Sequence, residues 1–149
     1  MDRLPPRPLS GYDADFAQWI EEQTELLRAR DFEHLDLNRV IEEFEEMAAN
    51  LRHELKSRIE TLLVHLLKCQ VQPERKSGSW IATIHEQRRR ILDRLEQSPS
   101  LKRHMPELTA KSYVPAVRRA SAETGLARAA FPEQNPYTTE NLLDEDFVP

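Results

Sequence analysis

Residues 36–71 read DLNRVIEEFEEMAANLRHELKSRIETLLVHLLKCQV, and their spacing decides the fold. Leu37, Ile41, Phe44, Ala48, Leu51, Leu55, Ile59, Leu62 and Leu66 recur in eight steps over 29 residues. That period is near 3.6, the repeat of an α-helix. No Pro or Gly interrupts the stretch. The spacing predicts a helix with Asp36 as its N-cap and Val71 near its end. As one piece it would be about 50 Å long at about 1.5 Å per residue. A compact domain of this size has a radius of gyration of about 15 Å, so the helix is expected to overhang or to bend near Ala49–Asn50.

Working outward, Phe16, Trp19, Ile20, Gln23, Leu26 and Leu27 give a second helical stripe, predicting a helix over 13–28. Asp13 is its expected cap, with Asp15 favoured by the positive end of the dipole. On the other side, Pro73 stops the long helix. Ser77 or Ser79 then caps a third over 80–97, whose stripe is Trp80, Ile81, Ile84, Ile91, Leu92 and Leu95. Ser98-Pro99 is a stop followed by a start. A fourth helical region is expected over 100–124, divided by Pro106 and kinked by Pro115, with Gly125 as the residue that ends it. Thr138 is expected to cap one short turn over 139–143. Leu126, Phe131, Tyr137, Leu142, Leu143 and Phe147 suit the tail to pack back on the helices.

Composition agrees. The chain has 149 residues, the size of one ordinary domain. Leu (19) outnumbers Ile and Val together (12), and Gly is scarce at 3. Leu keeps rotamer freedom in a helix where β-branched residues lose it, so most β folds are excluded. The expected fold is all-α: a single-domain bundle of about four main helices over 11–149, with a very long or kinked second helix and an irregular C-terminal tail packed on it. Residues 1–10, with three prolines, are expected to be an extended leader.

The apolar run from Leu62 to Leu67 is interrupted by His65 and is far shorter than the roughly 20 residues a membrane span needs. The leader lacks the apolar segment of a secretory signal, and the lone Cys69 has no internal disulfide partner. A cytoplasmic protein without membrane contact is expected. The net charge of −5 is segregated: −8 over 1–50, +8 over 51–128 and −5 over 129–149. Acidic and basic helices that neutralise one another explain this more simply than an anionic partner.

Three constellations carry chemistry worth weighing. His65 and Cys69 are four apart and share a helix face, as a thiol–imidazole pair or half a zinc site requires. Both sit in a Leu-rich stretch, where Cys commonly packs as a small hydrophobe. Glu42, Glu43, Glu45 and Glu46 form a carboxylate cluster, but no Glu stands three residues before a His, the motif of carboxylate-bridged metal sites. A solvated acidic face is expected. Arg75, Lys76, Arg88, Arg89, Arg90 and Arg94 surround Trp80 and His85, a pattern that suits single-stranded nucleic acid. Arg88 to Arg90 span about 200° of helix, however, and do not all face one ligand.

The motifs in order are Tyr12-Asp13-x-Asp15-Phe16-x-x-Trp19, His65-Leu66-Leu67-Lys68, Gln72-Pro73-Glu74-Arg75, Ser79-Trp80, Glu86-Gln87-Arg88-Arg89-Arg90-Ile91, Ser98-Pro99-Ser100-Leu101, Glu123-Thr124-Gly125, Phe131-Pro132-x-x-x-Pro136-Tyr137-Thr138 and Asp144-Glu145-Asp146-Phe147-x-Pro149. Together they resemble the bacterial family known as domain of unknown function 29, from Tyr12 to Pro149. The resemblance implies an all-helical domain with no established activity, so it assigns no catalytic residue.

The recurring polar positions His65, Lys68, Gln72, Glu74, Arg75, Trp80 and Arg88 are expected to gather where Pro73 turns the chain. They are either a hydrogen-bonded corner fixing two helices or a recognition surface. The expected function is a non-catalytic interaction module without cofactor or metal, whose partner is another protein or a second copy. The alternatives are a nucleic-acid-associated protein using the basic third helix and a metal-dependent hydrolytic enzyme centred on His65.

Overall fold

A computed structural model describes residues 9–149. The extended leader falls almost wholly on residues 1–8, outside the described residues. Five helices are present, and no strand occurs among the described residues: α1 (Phe16–Arg28), α2 (Leu37–Val71), α3 (Gly78–Gln97), α4 (Met105–Thr124) and α5 (Thr139–Leu143). The fold is all-α, as the periodicity predicts, and α2 is one helix of 35 residues. The chain divides into two compact units, Met1–Ala48 and Ala49–Pro149, at the Ala-rich step within α2.

In the first unit α1 and the start of α2 form a hairpin. The N-cap of α1 is Asp15 rather than Asp13; its carboxylate accepts from the Gln18 N–H at 3.0 Å. The turn from Gly11 places Asp15, not Asp13, at the last non-helical position. At the other end Arg30 adopts φ 56°. The Asp31 N–H then returns to the Leu26 carbonyl, and the Arg30 N–H to that of Leu27, the double bond of a Schellman ending with Arg where Gly is usual. Buried Gln23 accepts from the Asp36 N–H at 2.8 Å and ties the start of α2 to α1. Tyr12 stands edge-on to Trp19, its hydroxyl donates to Glu43, and Arg39 lies over its ring at 4.7 Å.

In the second unit the lower part of α2 is the central element. Leu55, Ile59, Leu62, Leu63, Leu66 and Leu67 are fully buried against Ile84 and Ile91 of α3, Met105, Ala116 and Ala120 of α4, and Leu142 of α5. Ser77 caps α3, accepting from the Trp80 N–H. A 3-10 turn from Pro99 to His104 precedes α4, so Pro106 sits in its first turn, where a missing N–H costs nothing. Pro115 lies inside α4 without ending it. Gly125 terminates α4 in the left-handed region at φ 75°. Thr138 and Asn141 cap α5 reciprocally, and the tail closes on the core through Phe131, Tyr137 and Leu142.

Candidate functional site

The second unit builds its polar corner around Lys68. This side chain is buried, and its ammonium donates to Glu123 at 2.9 Å while lying 4.5 Å from the centre of the Trp80 ring. Burial works to raise the Glu123 carboxyl, but the Lys68 hydrogen bond and the Lys68 and Arg119 charges outweigh it and hold it below the usual range. His65 is half-buried. Its Nδ1 lies 2.9 Å from the Thr61 carbonyl and donates to it, and desolvation holds the imidazole below its ordinary value. The corner is therefore a charge-neutral knot joining α2, α3 and the end of α4.

The seven expected positions do not form one surface. His65, Lys68 and Trp80 lie at this knot, and Trp80 packs partly buried on the core. Gln72 is buried, while Glu74 and Arg75 stand exposed on a 3-10 turn. Arg88 is elsewhere and fully buried. Its Nε donates to the Leu142 carbonyl at 2.9 Å, and its other nitrogens reach the carbonyls of Asn141, Glu145 and Phe147 at 3.2, 3.4 and 2.9 Å. Burial lowers its pKa against the raising effect of Asp144 and Asp-flanked Glu145. A guanidinium leaves water at tolerable cost only when its donors are matched; here the tail's backbone matches them. Glu123 was missing from the expected set, although it belongs to one of the sequence motifs; only the fold brings it across 55 residues to Lys68.

Burial pushes the Cys69 thiol up, and it packs in the core. Among the described residues no three His, Cys, Asp or Glu side chains come together so as to hold a metal ion. On the basic face of α3, Arg89 pairs with Glu86 and Asp93 at 3.0 and 3.4 Å, Arg90 pairs with Glu86, and Arg94 reaches Glu54 at 2.7 Å. Most of that charge is neutralised within the chain.

The hairpin presents the opposite situation. Among the apolar side chains of α1 and the start of α2, Trp19 and Val40 are buried, whereas Ile20, Leu27, Ile41, Phe44 and Met47 are exposed, Phe44 by 62% and Met47 by 61%. Ile20, Thr24, Leu27, Phe44 and Met47 flank Trp19 and Val40 in a shallow groove of about 170 Å³. Ile20, Leu27, Ile41 and Phe44 carry the predicted periodicity, but the sequence gives no sign that they lack cover.

An all-α fold with an ion-paired polar corner and an uncovered apolar hairpin is the architecture these residues define. The chain belongs to the family described as domain of unknown function DUF29, whose model matches residues 11–148. Neither a curated protein nor a solved structure matches it. Among the described residues no helix is long and apolar enough to cross a membrane.

Proposed function

We propose that this protein is a cytoplasmic, non-catalytic interaction module that binds a protein partner through the α1–α2 hairpin. The observation that carries the reading is the apolar face at Ile20, Leu27, Ile41, Phe44 and Met47, uncovered on a unit otherwise rich in carboxylates. Contiguous exposed apolar surface of this kind marks interaction sites, whereas single exposed side chains do not. Of the corner expected to recognise a partner, Lys68 is already paired with Glu123, which favours the hairpin as the docking face.

The test is purification from the native host under mild conditions, comparing the wild-type chain with Phe44→Ser/Met47→Ser. Both side chains are exposed, so the variant is expected to keep its thermal midpoint. A protein that accompanies the wild type in stoichiometric amount and is lost from the variant supports the reading. Retention of the same partner by the variant overturns it.

A further inference from the structure

We infer that the groove of the α1–α2 hairpin seats a basic amphipathic helix from another protein. The inference rests on the interaction-module reading and names the chemistry of its partner.

Shape comes first. The groove lies between two helices of one hairpin, with Ile20, Thr24 and Leu27 on one wall and Phe44 and Met47 on the other. A third helix laid along it would complete a three-helix arrangement, its apolar residues at i, i+3, i+4 and i+7 meeting both walls. From Ile20 to Leu27 the wall runs about two turns, roughly 10 Å, so two to three turns of partner fill it. Met47 is long and adaptable and Phe44 offers a large apolar ring, so both suit such a seat.

Charge chooses among the occupants. Residues 9–48 carry 12 acidic and 3 basic side chains. At 100° per residue, Glu21 falls beyond Ile20 and Thr24 on the outer edge of α1, and Glu45 falls beyond Ile41 on the outer edge of α2. Both are exposed. A second copy seated here by the same face would bring like charges together, which opposes association. A helix with Lys or Arg flanking its apolar stripe would set cations against both acidic edges while burying the groove.

The experiment uses the full chain and a fluorescent 18-residue synthetic helix with Leu at i, i+3, i+4 and i+7 spacing and Lys at the remaining positions, read by anisotropy. Its controls are a scrambled peptide of the same composition and a peptide with Glu in place of Lys. The basic helix is expected to bind at least about tenfold more tightly than either control. Phe44→Ser/Met47→Ser is expected to weaken it by a similar factor, and Glu21→Lys/Glu45→Lys to reduce both the affinity and its dependence on salt. Equal binding of the scrambled peptide reduces the effect to charge attraction and overturns the inference, as does indifference to Phe44→Ser/Met47→Ser. So does a wild-type dimer by sedimentation that this double substitution dissociates, since the occupant is then a second copy. Failure of the basic helix to bind, while the native partner is still lost from the double variant, overturns the partner class and leaves the interaction reading intact.

Discussion

The same α2 stripe meets opposite fates in the two units. In the second unit Leu51 is still exposed, but Leu55, Ile59, Leu62 and Leu66 are fully buried by α3, α4 and the tail. In the first unit Ile41 and Phe44 follow the same period and are exposed by 45% and 62%, although α1 covers Val40 beside them. The difference teaches that an amphipathic helix needs enough neighbours to cover a whole stripe. One short helix covers a narrow arc of α2; three elements enclose it. The lower unit encloses its stripe, and the hairpin leaves part of its own exposed.

The largest expected effect tests the closed unit. Arg88→Ala strands four backbone carbonyls of the tail and should cost about 3–5 kcal/mol, the range for breaking a buried charged network, measured by urea unfolding. Arg88→Lys should recover little, because one ammonium does not reach carbonyls that a planar fork spans. Against a typical stability of about 5–15 kcal/mol, Arg88→Ala would release the tail. Phe44→Ala in the hairpin should instead stay within about 0.5 kcal/mol, as exposed substitutions do. A large cost at Phe44 would break the comparison.

Next comes the corner. Trp80 is half-buried on Lys68 and the core, so Trp80→Ala should cost about 2–3 kcal/mol, below the range for a fully buried aromatic. An unchanged midpoint would remove Trp80 from the support of α3.

The pH response should be smaller and confined to the lower unit. His65 is held below its ordinary pKa chiefly by desolvation, with Lys68 and Arg119 adding to the shift and Glu123 and the Thr61 bond opposing it. On acidification the unfolded chain therefore takes up this proton first. Stability is fully present above the unfolded histidine value of about 6.5 and falls as pH drops from there toward the folded value. His65→Gln should flatten that slope between pH 7 and 5; an unchanged slope would place its origin elsewhere.

A small effect of opposite sign is expected at the turn of the hairpin. Arg30→Gly should stabilise by about 0.5–1 kcal/mol, since a non-glycine residue in the left-handed region carries a steric cost. Thermal unfolding with hydrogen exchange along α1 reads this locally, and a loss of protection there would show that the Arg30 side chain holds the turn.

Much of the fold was legible because its signals are local. Gly125 and Thr138 act at the ends where the sequence placed them, and Ser77 is the one of two candidate serines that caps α3, for a cap is decided within three or four residues. Asp13 misled because two carboxylates stand two apart and only the backbone turn from Gly11 selects Asp15. The candidate site was less legible. The seven polar residues share a stretch of chain but not a place: Lys68 meets Trp80 and Glu123, while Arg88 faces inward to residues up to 59 positions away.

By itself the sequence determined that the chain is helical, which stretches form its helices, and which side of each is apolar, because side-chain spacing along a helix is a property of neighbouring residues. Only the tertiary structure decided which part of an apolar stripe is covered and which charged residues face inward. Burial depends on how many elements converge on a surface, and the groups that satisfy Arg88 or leave Phe44 in water are set by contacts, or the want of them, that no local period encodes.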